Sequence, residues 1–327
     1  MNRTESSELP PELQRTLRKA RRLEWLTIAY LLSAVVLLGL VLGNSQAMKT
    51  AWAEDLLSLI PPIAFLIATR LNVRPPTGRF PYGFHRATSV AHLCSALALF
   101  TMGTYLLIEA ILQLVTAEYP TIGSVELFGQ TLWLGWLMLP ALAWSAVPAV
   151  FLGRAKISLA EELHNKVLYA DAKMNKADWL TASAAMVGVV GIGFGLWWAD
   201  AVAAALISLD ITHDGFSNLR RAVVDLMDQT PTTIDQDNVD PLRDKLTSLL
   251  QELNWVNEAE VRLREEGQVY FGEAFVVPSD ETNITEKIED ALEQACDLDW
   301  RIYDLALMPV RELPEKGGQA VEGQQTG

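Results

Sequence analysis

Acidic side chains recur inside the long apolar runs of this sequence, and their chemistry demands an explanation. A carboxylate placed in hydrocarbon is costly, so it marks a functional site for which a positively charged partner must be found. The acids in question are Glu54, Asp55, Glu109, Asp171, Asp178, Asp210 and Asp214. Together they predict a cation pathway inside a membrane domain.

One of these runs spaces its polar residues as a helix does. Asp171, Asn175 and Asp178 stand at positions i, i+4 and i+7, which lie on one face of a helix. Met174 joins the same face, either as a soft ligand or, more commonly for this residue type, as a core filler. The spacing predicts one polar stripe that could line a site.

A second run places Glu54, Ser58 and Pro61 on a comparable stripe, next to Asp55. Pro61 and Pro62 break the backbone hydrogen-bond ladder there and can free carbonyl oxygens as additional ligands. Oxygen donors in a bundle of low dielectric suit a hard or borderline divalent cation, and the same carboxylates can take up protons when the site is empty. The predicted cation ligands are Asp178, Glu54, Asp55, Asp171, Asn175, Asp210 and Asp214.

Some of these acids also have simpler interpretations. Asp171 can cap the start of its helix, and Glu54 and Asp55 can face water at a helix end. Asp214, which follows His213, can belong to a solvated helix end, and Glu109 can be a packing or pairing acid. The choice depends on whether these side chains turn toward one another.

Six apolar runs are long enough to cross a bilayer, for which about 18 residues or more is the signature. They cover residues 23–43, 50–69, 90–115, 129–153, 167–196 and 198–218. Half of the chain is hydrophobic and its mean hydropathy is +0.17, which is ordinary for a membrane protein. We therefore predict an all-α membrane domain of six transmembrane helices over residues 23–218, preceded by a cytoplasmic tail over residues 1–22.

Basic residues predict the orientation, because Lys and Arg in short loops favour the cytoplasmic side. The N-terminal tail ends in a basic cluster, whereas the loops after the first, third and fifth runs contain only Lys49. The loops after the second and fourth runs hold Arg70, Arg74, Arg79, Arg86, Arg154, Lys156 and Lys166. We expect a multi-pass protein of the cell membrane with both termini in the cytoplasm.

Beyond Pro231 the pattern becomes that of a soluble domain. Helical spacing and strand-like alternation follow each other over residues 240–253, 259–263, 269–277, 284–295 and 300–310. The order helix–strand–strand–helix–strand predicts a small α+β cytoplasmic domain over residues 219–312. The Gly/Gln-rich segment 313–327 is expected to be disordered.

Charge and composition exclude several classes of function. Basic and acidic residues balance in residues 1–216, so the formal net charge of −14 belongs to residues 217–327. An acidic domain argues against nucleic acid as a partner and binds anionic lipid headgroups poorly. Cys94 and Cys296 form no CxxC pair, and four scattered histidines supply no catalytic or metal triad. We therefore expect no enzyme and no resident cofactor.

Three stretches resemble the cation diffusion facilitator family. Residues 80–87 (FPYGFHRA) are similar to its HPYGHGRAE loop, and residues 168–178 (LYADAKMNKAD) are similar to its ADAxHxxxD segment. Asp200 with Ala201, and residues 226–228, resemble its DP and LMD landmarks. The resemblance implies a homodimeric, proton-coupled exporter of zinc, iron, manganese, cobalt or cadmium. It also implies a ferredoxin-like fold for the soluble domain.

The departures from that family concern its metal site. The positions that match the family's ligand quartet read Leu57, Pro61, Met174 and Asp178, so only Asp178 is a charged ligand. The loop histidines are replaced by phenylalanine, and the soluble domain contains no histidine. Two accounts follow. Either the site has been rebuilt from Glu54 or Asp55 with Asp178 and acids of the sixth run, or metal transport has been lost and the acids serve protons or packing.

These observations favour a secondary transporter that exports a divalent cation, such as manganese, iron, cobalt or zinc, in exchange for protons across the lipid bilayer. An oxygen-rich site predicts manganese or iron ahead of zinc. The alternative is a membrane scaffold or metal sensor of the same fold that transports nothing. A substitution of Asp178 distinguishes the two.

Overall fold

The structure of the chain is a computed structural model that describes residues 10–72, 74–117, 122–127, 130–235 and 238–314. Residues 1–9 of the predicted N-terminal tail and residues 315–327 of the segment expected to be disordered lie outside these ranges. The chain divides between Met227 and Asp228 into two compact units. The first unit is mainly helical, and the second contains a three-stranded sheet.

Long helices make up most of the first unit. They are α1 (Pro11–Leu40), α2 (Gln46–Leu57), α3 (Ile60–Leu71), α4 (Ala87–Thr116), α5 (Gly135–Glu162), α6 (Lys166–Gly193) and α7 (Trp197–Leu226). Within the described ranges, four stretches are long and apolar enough to cross a membrane: Pro11–Leu40, Gln46–Leu71, Ala87–Thr116 and Gly135–Glu162. These correspond to the first four predicted crossings. Because α6 is apolar only along Asp178–Gly193 and α7 carries acids, the last two crossings stay predictions.

The second predicted span is broken in two, as its prolines indicated. α2 ends at Leu57 and α3 begins at Ile60, with proline in its first turn. Proline has no N–H, so Pro61 and Pro62 cannot donate to the carbonyl oxygens one turn earlier, which belong to Leu57 and Ser58. The break therefore lies one turn beyond Glu54 and Asp55.

Two boundaries differ from the sequence-based expectation. A hairpin of β1 (Ser124–Leu127) and β2 (Gln130–Trp133) occupies residues that we assigned to a loop and to the start of the fourth span. Strands of four residues are too short to give a clear alternation. At the other end, α7 continues to Leu226, beyond the predicted end of the sixth span at 218, because its apolar and polar residues keep helical spacing after the apolar run ends.

The N-terminus of α2 is fixed by a carboxylate from α7. Asp200 accepts hydrogen bonds from Ser45 Oγ at 2.6 Å and from the backbone N–H groups of Gln46 and Ala47 at 2.6 and 3.3 Å. Ser45 is itself the N-cap and accepts from Met48 N at 3.2 Å. The N–H groups that a helix leaves unpaired at its start are thereby satisfied. The Asp-Ala landmark is thus a structural clamp that positions α2.

Small residues let the helices approach closely. A Cβ added to Gly215 of α7 would lie 2.6 Å from the backbone nitrogen of Phe100 in α4, and one added to Gly188 of α6 would lie 3.1 Å from the Cβ of Ala203 in α7. Small side chains at helix contacts are the usual means of packing in membranes. α7 is therefore held against both α4 and α6.

The outward faces of the helices are apolar. Exposed large side chains include Leu32, Val36, Leu40, Ile108, Leu112, Val115, Val147, Phe151, Leu206 and Leu209. Apolar surface spread over several helices suits hydrocarbon and would be unusual for a protein surrounded by water. The first unit has the surface of a membrane domain.

The second unit has the predicted order of elements. It consists of α8 (Leu242–Gln251), β3 (Val256–Glu266), β4 (Val269–Pro278), α9 (Ile284–Leu298) and β5 (Ile302–Pro309). β4 is the central strand, antiparallel to β3 and parallel to β5. Gly267, with a φ of +74°, supplies the left-handed backbone that the β3–β4 turn requires. Leu246, Leu250 and Tyr270 are fully buried in its core, so this unit has the predicted α+β class. It begins at Asp228 rather than at the expected residue 219, because α7 continues to Leu226.

Candidate functional site

The polar stripe of α6 lies inside the helical unit. Asp171, Asn175 and Asp178 are 1%, 3% and 5% exposed. Met174, on the same face, packs against the main hydrophobic core, so the core-filling interpretation fits its contacts. Helical spacing thus located a buried polar face in an otherwise apolar bundle.

Two acids of α2 are buried with Asp178. Glu54 Oε1 accepts a hydrogen bond from Thr181 Oγ1 at 3.1 Å, which ties α2 to α6. Asp55 accepts from Ser145 Oγ of α5 at 2.7 and 3.0 Å. Both carboxylates lie close enough to the Asp178 carboxylate for their charges to interact. The interpretation of Glu54 and Asp55 as solvated helix-end acids is therefore wrong, since each is less than a tenth exposed.

The hydrogen-bond donors to Glu54 and Asp55 are neutral. Thr181 and Ser145 supply hydroxyl groups, and Tyr30 of α1 donates its hydroxyl to the Ser145 carbonyl within Coulombic range of Asp55 and Asp178. Asp178 Oδ1 has no hydrogen-bond partner in the described part of the chain. Four helices, α1, α2, α5 and α6, thus surround a region rich in oxygen atoms, the ligand type that hard divalent cations prefer.

The carboxylates are neighbours without forming a closed metal site. Among the residues that the structure describes, no three His, Cys, Asp or Glu side chains come together in a group that could hold a metal ion. Asp178, Glu54 and Asp55 interact over a distance and share no common centre in this conformation.

The acids of α7 are placed differently from the expectation. Asp210 and Asp214 are exposed, while α7 buries Ala203, Ile207 and Ile211 on another face. Asp210 lies within Coulombic range of Glu54, but neither acid belongs to the buried region. We expected these acids to be buried because they lie in an apolar run. They are exposed because α7 turns a different face, the one with Ala203, Ile207 and Ile211, toward the bundle.

Asp171 has a partner that the sequence did not indicate. Lys156 of α5 donates a hydrogen bond to Asp171 Oδ2 and another to Glu24 Oε2 of α1, the latter at 3.0 Å. Asn175 Nδ2 donates to Asp171 Oδ1 at 3.1 Å. Because an ammonium group and an amide occupy this carboxylate, Asp171 is not available as a metal ligand in this conformation, and its hypothetical role as a helix cap is taken by Asn165.

Glu24 and Lys156 were both missed as site residues. Lys156 was counted among loop residues that orient the protein, yet it lies in α5 and its side chain is fully buried. Glu24 is the second residue of the first predicted span and is also fully buried. One signal was available: a base near the end of one apolar run and an acid near the start of another can pair across a bundle.

The chain is similar in sequence to several known proteins. A sequence model described as the cation efflux transmembrane domain matches residues 25–227. The manganese efflux system protein MneS of Bacillus subtilis (strain 168) is 27% identical over 201 residues, which cover 61% of this chain and 65% of that protein. The manganese efflux system protein MneP of the same organism is 26% identical over 226 residues, 67% and 71% of the two chains.

A similarity to a zinc transporter is confined to a shorter region. The probable proton-coupled zinc antiporter SLC30A4 of Bos taurus is 33% identical over 119 residues, which cover 35% of this chain and 28% of that protein. The chain thus spans just under two thirds of MneS and little more than a quarter of the bovine protein.

Proposed function

The chain belongs to the cation efflux transmembrane domain family, and from that premise we propose that it is a secondary transporter that exports a divalent metal cation from the cytoplasm in exchange for protons. The expectation of a relationship to the cation diffusion facilitators is confirmed by this membership. Export, proton exchange and the identity of the cation are the proposal.

One observation carries it: three carboxylates from two helices are buried near one another, and the groups that donate hydrogen bonds to Glu54 and Asp55 are neutral hydroxyls. Asp178, Glu54 and Asp55 lie within Coulombic range of one another inside an apolar bundle. Like charges in such surroundings repel and cost solvation energy, so they favour an arriving cation or protons. A site of this composition binds metal when ionised and releases it when protonated.

The proposed coordination uses groups on three helices. Asp178, Glu54 and Asp55 supply charge, and the Ser145 and Thr181 hydroxyls lie against two of these carboxylates as further oxygen ligands. The carbonyl oxygens of Leu57 and Ser58, to which Pro61 and Pro62 cannot donate, lie about one turn beyond Glu54, where α2 ends. Closure of α2 on α6 would bring these oxygens around the cation, and rocking of the helices would open the site to either side.

The composition of the site favours manganese, iron or cobalt over zinc. All of the proposed ligand atoms are oxygens, which suit hard cations, whereas zinc sites favour histidine and cysteine. The two relatives from Bacillus subtilis carry names for manganese efflux, which supports the same choice. We propose manganese as the first cation to test.

The wider architecture belongs to the same proposal. Six crossings, both termini in the cytoplasm of a cell-membrane protein, a homodimer and a ferredoxin-like second unit are what the family implies. The orientation keeps the support of Arg70, Arg74 and Arg79, but the buried Lys156 no longer contributes to it. α6 and α7 pack along other helices of the bundle, as crossings would.

The competing function is a membrane scaffold or metal sensor that moves nothing. Three positions that hold metal ligands in the family are occupied here by Leu57, Pro61 and Met174, which favours this function. It is also favoured because no three metal-binding side chains come together among the described residues. In such a protein Asp178 would be a packing acid. Flux measurements separate the two functions.

Manganese flux into sealed vesicles containing the purified full-length protein tests the proposal. With an opposing proton gradient, the wild type should move Mn²⁺, and the flux through Asp178→Asn should be lower by about 100-fold or more. Loss of a group that only supports a metal ligand already lowers affinity or activity by about 10- to 100-fold, and loss of a charged ligand should lower it at least as much. Asp210→Asn, the same change at an exposed acid, should retain it.

Absence of flux from the wild type would favour the scaffold or sensor. Equal flux in wild type and Asp178→Asn would remove Asp178 from the site. A strong preference for Zn²⁺ in the same vesicles would contradict the oxygen-based selectivity.

A further inference from the structure

A buried ion cluster lies apart from the proposed metal ligands, where α1, α5 and α6 meet. It consists of Glu24, Lys156 and Asp171, whose side chains are at most 2% exposed. The Lys156 ammonium group donates to both carboxylates, and Asn175 adds a hydrogen bond to Asp171. The carboxyl groups of Glu24 and Asp171 are also close enough to interact directly.

The cluster is not neutral when all of its groups are ionised. Two carboxylates and one ammonium group leave a net charge of −1 with no access to water. An uncompensated charge in a protein interior costs several kcal/mol, so a cluster of this kind favours one additional positive charge. A single proton would make it neutral.

The hydrogen bonds indicate where that proton belongs. Both oxygens of Asp171 accept hydrogen bonds, and Glu24 Oε2 accepts from Lys156 at 3.0 Å. Glu24 Oε1 is buried and has no donor anywhere in the described ranges. An ionised oxygen without a donor is expensive to bury, whereas a protonated one is not.

We propose that Glu24 is a proton-binding site of the transporter, distinct from the carboxylates that bind the metal. The ionised Glu24 carboxylate takes up one proton from solution on Oε1 and becomes a carboxylic acid, and the charge of the cluster changes from −1 to zero. No other bond is formed or broken. The role in transport rests on the proposed function; the proton site itself does not.

The cluster is placed to sense the metal site. Asp171 and Asp178 lie on one face of α6, seven residues or about 10 Å of helix apart. Asp178 is within Coulombic range of both Asp171 and Lys156. A cation arriving at Asp178 therefore favours the negatively charged form of the cluster and the release of the proton from Glu24. Exchange of metal for a proton follows from this coupling, which acts equally in both directions.

Lys156 and Asp171 are the charged groups that act on the Glu24 carboxyl, and further charged groups lie on the elements packed against α1. α5 contributes Lys156 and α6 contributes Asp171, as described. From α3, Arg70 lies within Coulombic range of Arg21, which is one turn before Glu24 and donates to Thr69 at 2.7 and 3.1 Å. From α2, Asp55 is bonded to Ser145. Glu24 is therefore controlled mainly by the two other members of its cluster.

Proton release on addition of Mn²⁺ to the full-length protein in weakly buffered detergent solution tests the proposal. Glu24→Gln should still bind Mn²⁺, because the Asp178 region is unchanged, but should release about one proton fewer per ion bound than the wild type. Glu24→Asp should recover the release. Glu161→Gln, at an exposed acid of α5, should match the wild type.

Infrared absorption of protonated carboxyl groups provides a second measurement that needs no metal. Protonated acids of the empty metal site absorb in the same region, so the assignment uses the difference between variants. One band of the wild type at neutral pH should be missing in Glu24→Gln and retained in Glu24→Asp. An unchanged band, or unchanged proton release from a variant that binds Mn²⁺, would overturn the assignment of the proton to Glu24. If the wild type neither binds nor moves Mn²⁺ but the band disappears in Glu24→Gln, the proton site stands and the transport function fails.

Discussion

Each unit of the molecule builds an ion cluster from one basic side chain and two carboxylates, and the two clusters are satisfied to different degrees. In the helical unit, Lys156 joins Glu24 and Asp171. In the second unit, Arg301 joins Asp240 at 2.6 Å and Asp299 at 2.9 Å. Both clusters carry a net charge of −1 when ionised. Only the first leaves a carboxylate oxygen without a donor among the described residues.

The second cluster uses all of its acceptors. Asp240 accepts hydrogen bonds from the N–H of Leu242 at 2.9 Å, from Tyr270 Oη at 2.8 Å and from Arg301. Asp299 accepts from both Nε and Nη2 of Arg301, one bond to each carboxylate oxygen. Arg301 is also 15% exposed, so water screens the remaining charge. A rigid guanidinium fork suits this structural role, whereas the compact ammonium of Lys156 makes fewer fixed contacts.

The difference teaches how to separate structural from functional charges in this chain. A cluster whose donors and acceptors are all used holds helices and strands in place, as Asp240 does at the start of α8. A cluster with a spare buried acceptor retains a reason to bind something else. Substitution of the basic residue in each cluster, Lys156 or Arg301, tests this distinction.

The largest expected effect is that of Lys156→Met. It would leave Glu24 and Asp171 buried with no counter-charge, and breaking a buried pair in this way typically costs about 3–5 kcal/mol. Thermal unfolding in detergent should show a large decrease in the midpoint. Arg154→Met, the loss of an exposed base two residues earlier, should be close to neutral.

A double variant sharpens that prediction. Glu24→Gln in the Lys156→Met background removes one of the two carboxylates, so part of the lost stability should return. If Lys156→Met is as stable as the wild type, the ion cluster does not hold α1, α5 and α6 together.

Arg301→Met should have a smaller effect, roughly 1–3 kcal/mol, because Asp240 keeps its bonds to Leu242 and Tyr270 and Asp299 can reach water. Hydrogen exchange of β4 and β5 in the full-length protein measures it locally. Arg243→Met, which removes an exposed base paired with Asp244, is the matched control and should change little. A loss as large as that of Lys156→Met would remove the distinction between the clusters.

Sequence patterns predicted the features that repeat locally. Spacing on α6 placed Asp171, Asn175 and Asp178 on one buried face, and proline chemistry placed the break between α2 and α3. Alternation and turn residues gave the order of elements in the second unit. Each of these depends on residues within a few positions of one another, where helix and strand periods apply.

Long-range pairing could not be read in the same way. Glu24 and Lys156 are 132 residues apart, Glu24 follows a basic cluster, and Lys156 follows Arg154 at the end of an apolar run. Both therefore had the pattern of residues at a membrane boundary. The exposure of Asp210 depends on which face α7 turns inward, and that is decided by its close packing against α4 and α6 through small residues.

The smallest predicted effect is a pH dependence confined to the second unit. Burial alone would raise the pKa of Asp240, but the hydrogen bonds from Leu242 and Tyr270, together with Arg301, lower it below its ordinary value. The unfolded chain then takes up the proton first as the pH falls. Stability from Asp240 is fully present above the ordinary pKa of about 3.9 and is lost as the pH falls through the lower folded value.

Asp240→Asn isolates this contribution. Protection of β4 and β5 amides, corrected for the intrinsic exchange rate, should decrease in the wild type between pH 5 and the lower pKa of Asp240, as expected for a carboxylate bonded in the folded state. In Asp240→Asn the protection should be lower at pH 5 and should lose that part of its pH dependence, while Arg301 still holds Asp299. If the two proteins show the same pH dependence of protection, Asp240 contributes no proton-linked stability. A carboxylate with all of its oxygens hydrogen-bonded could then no longer be taken as a structural charge.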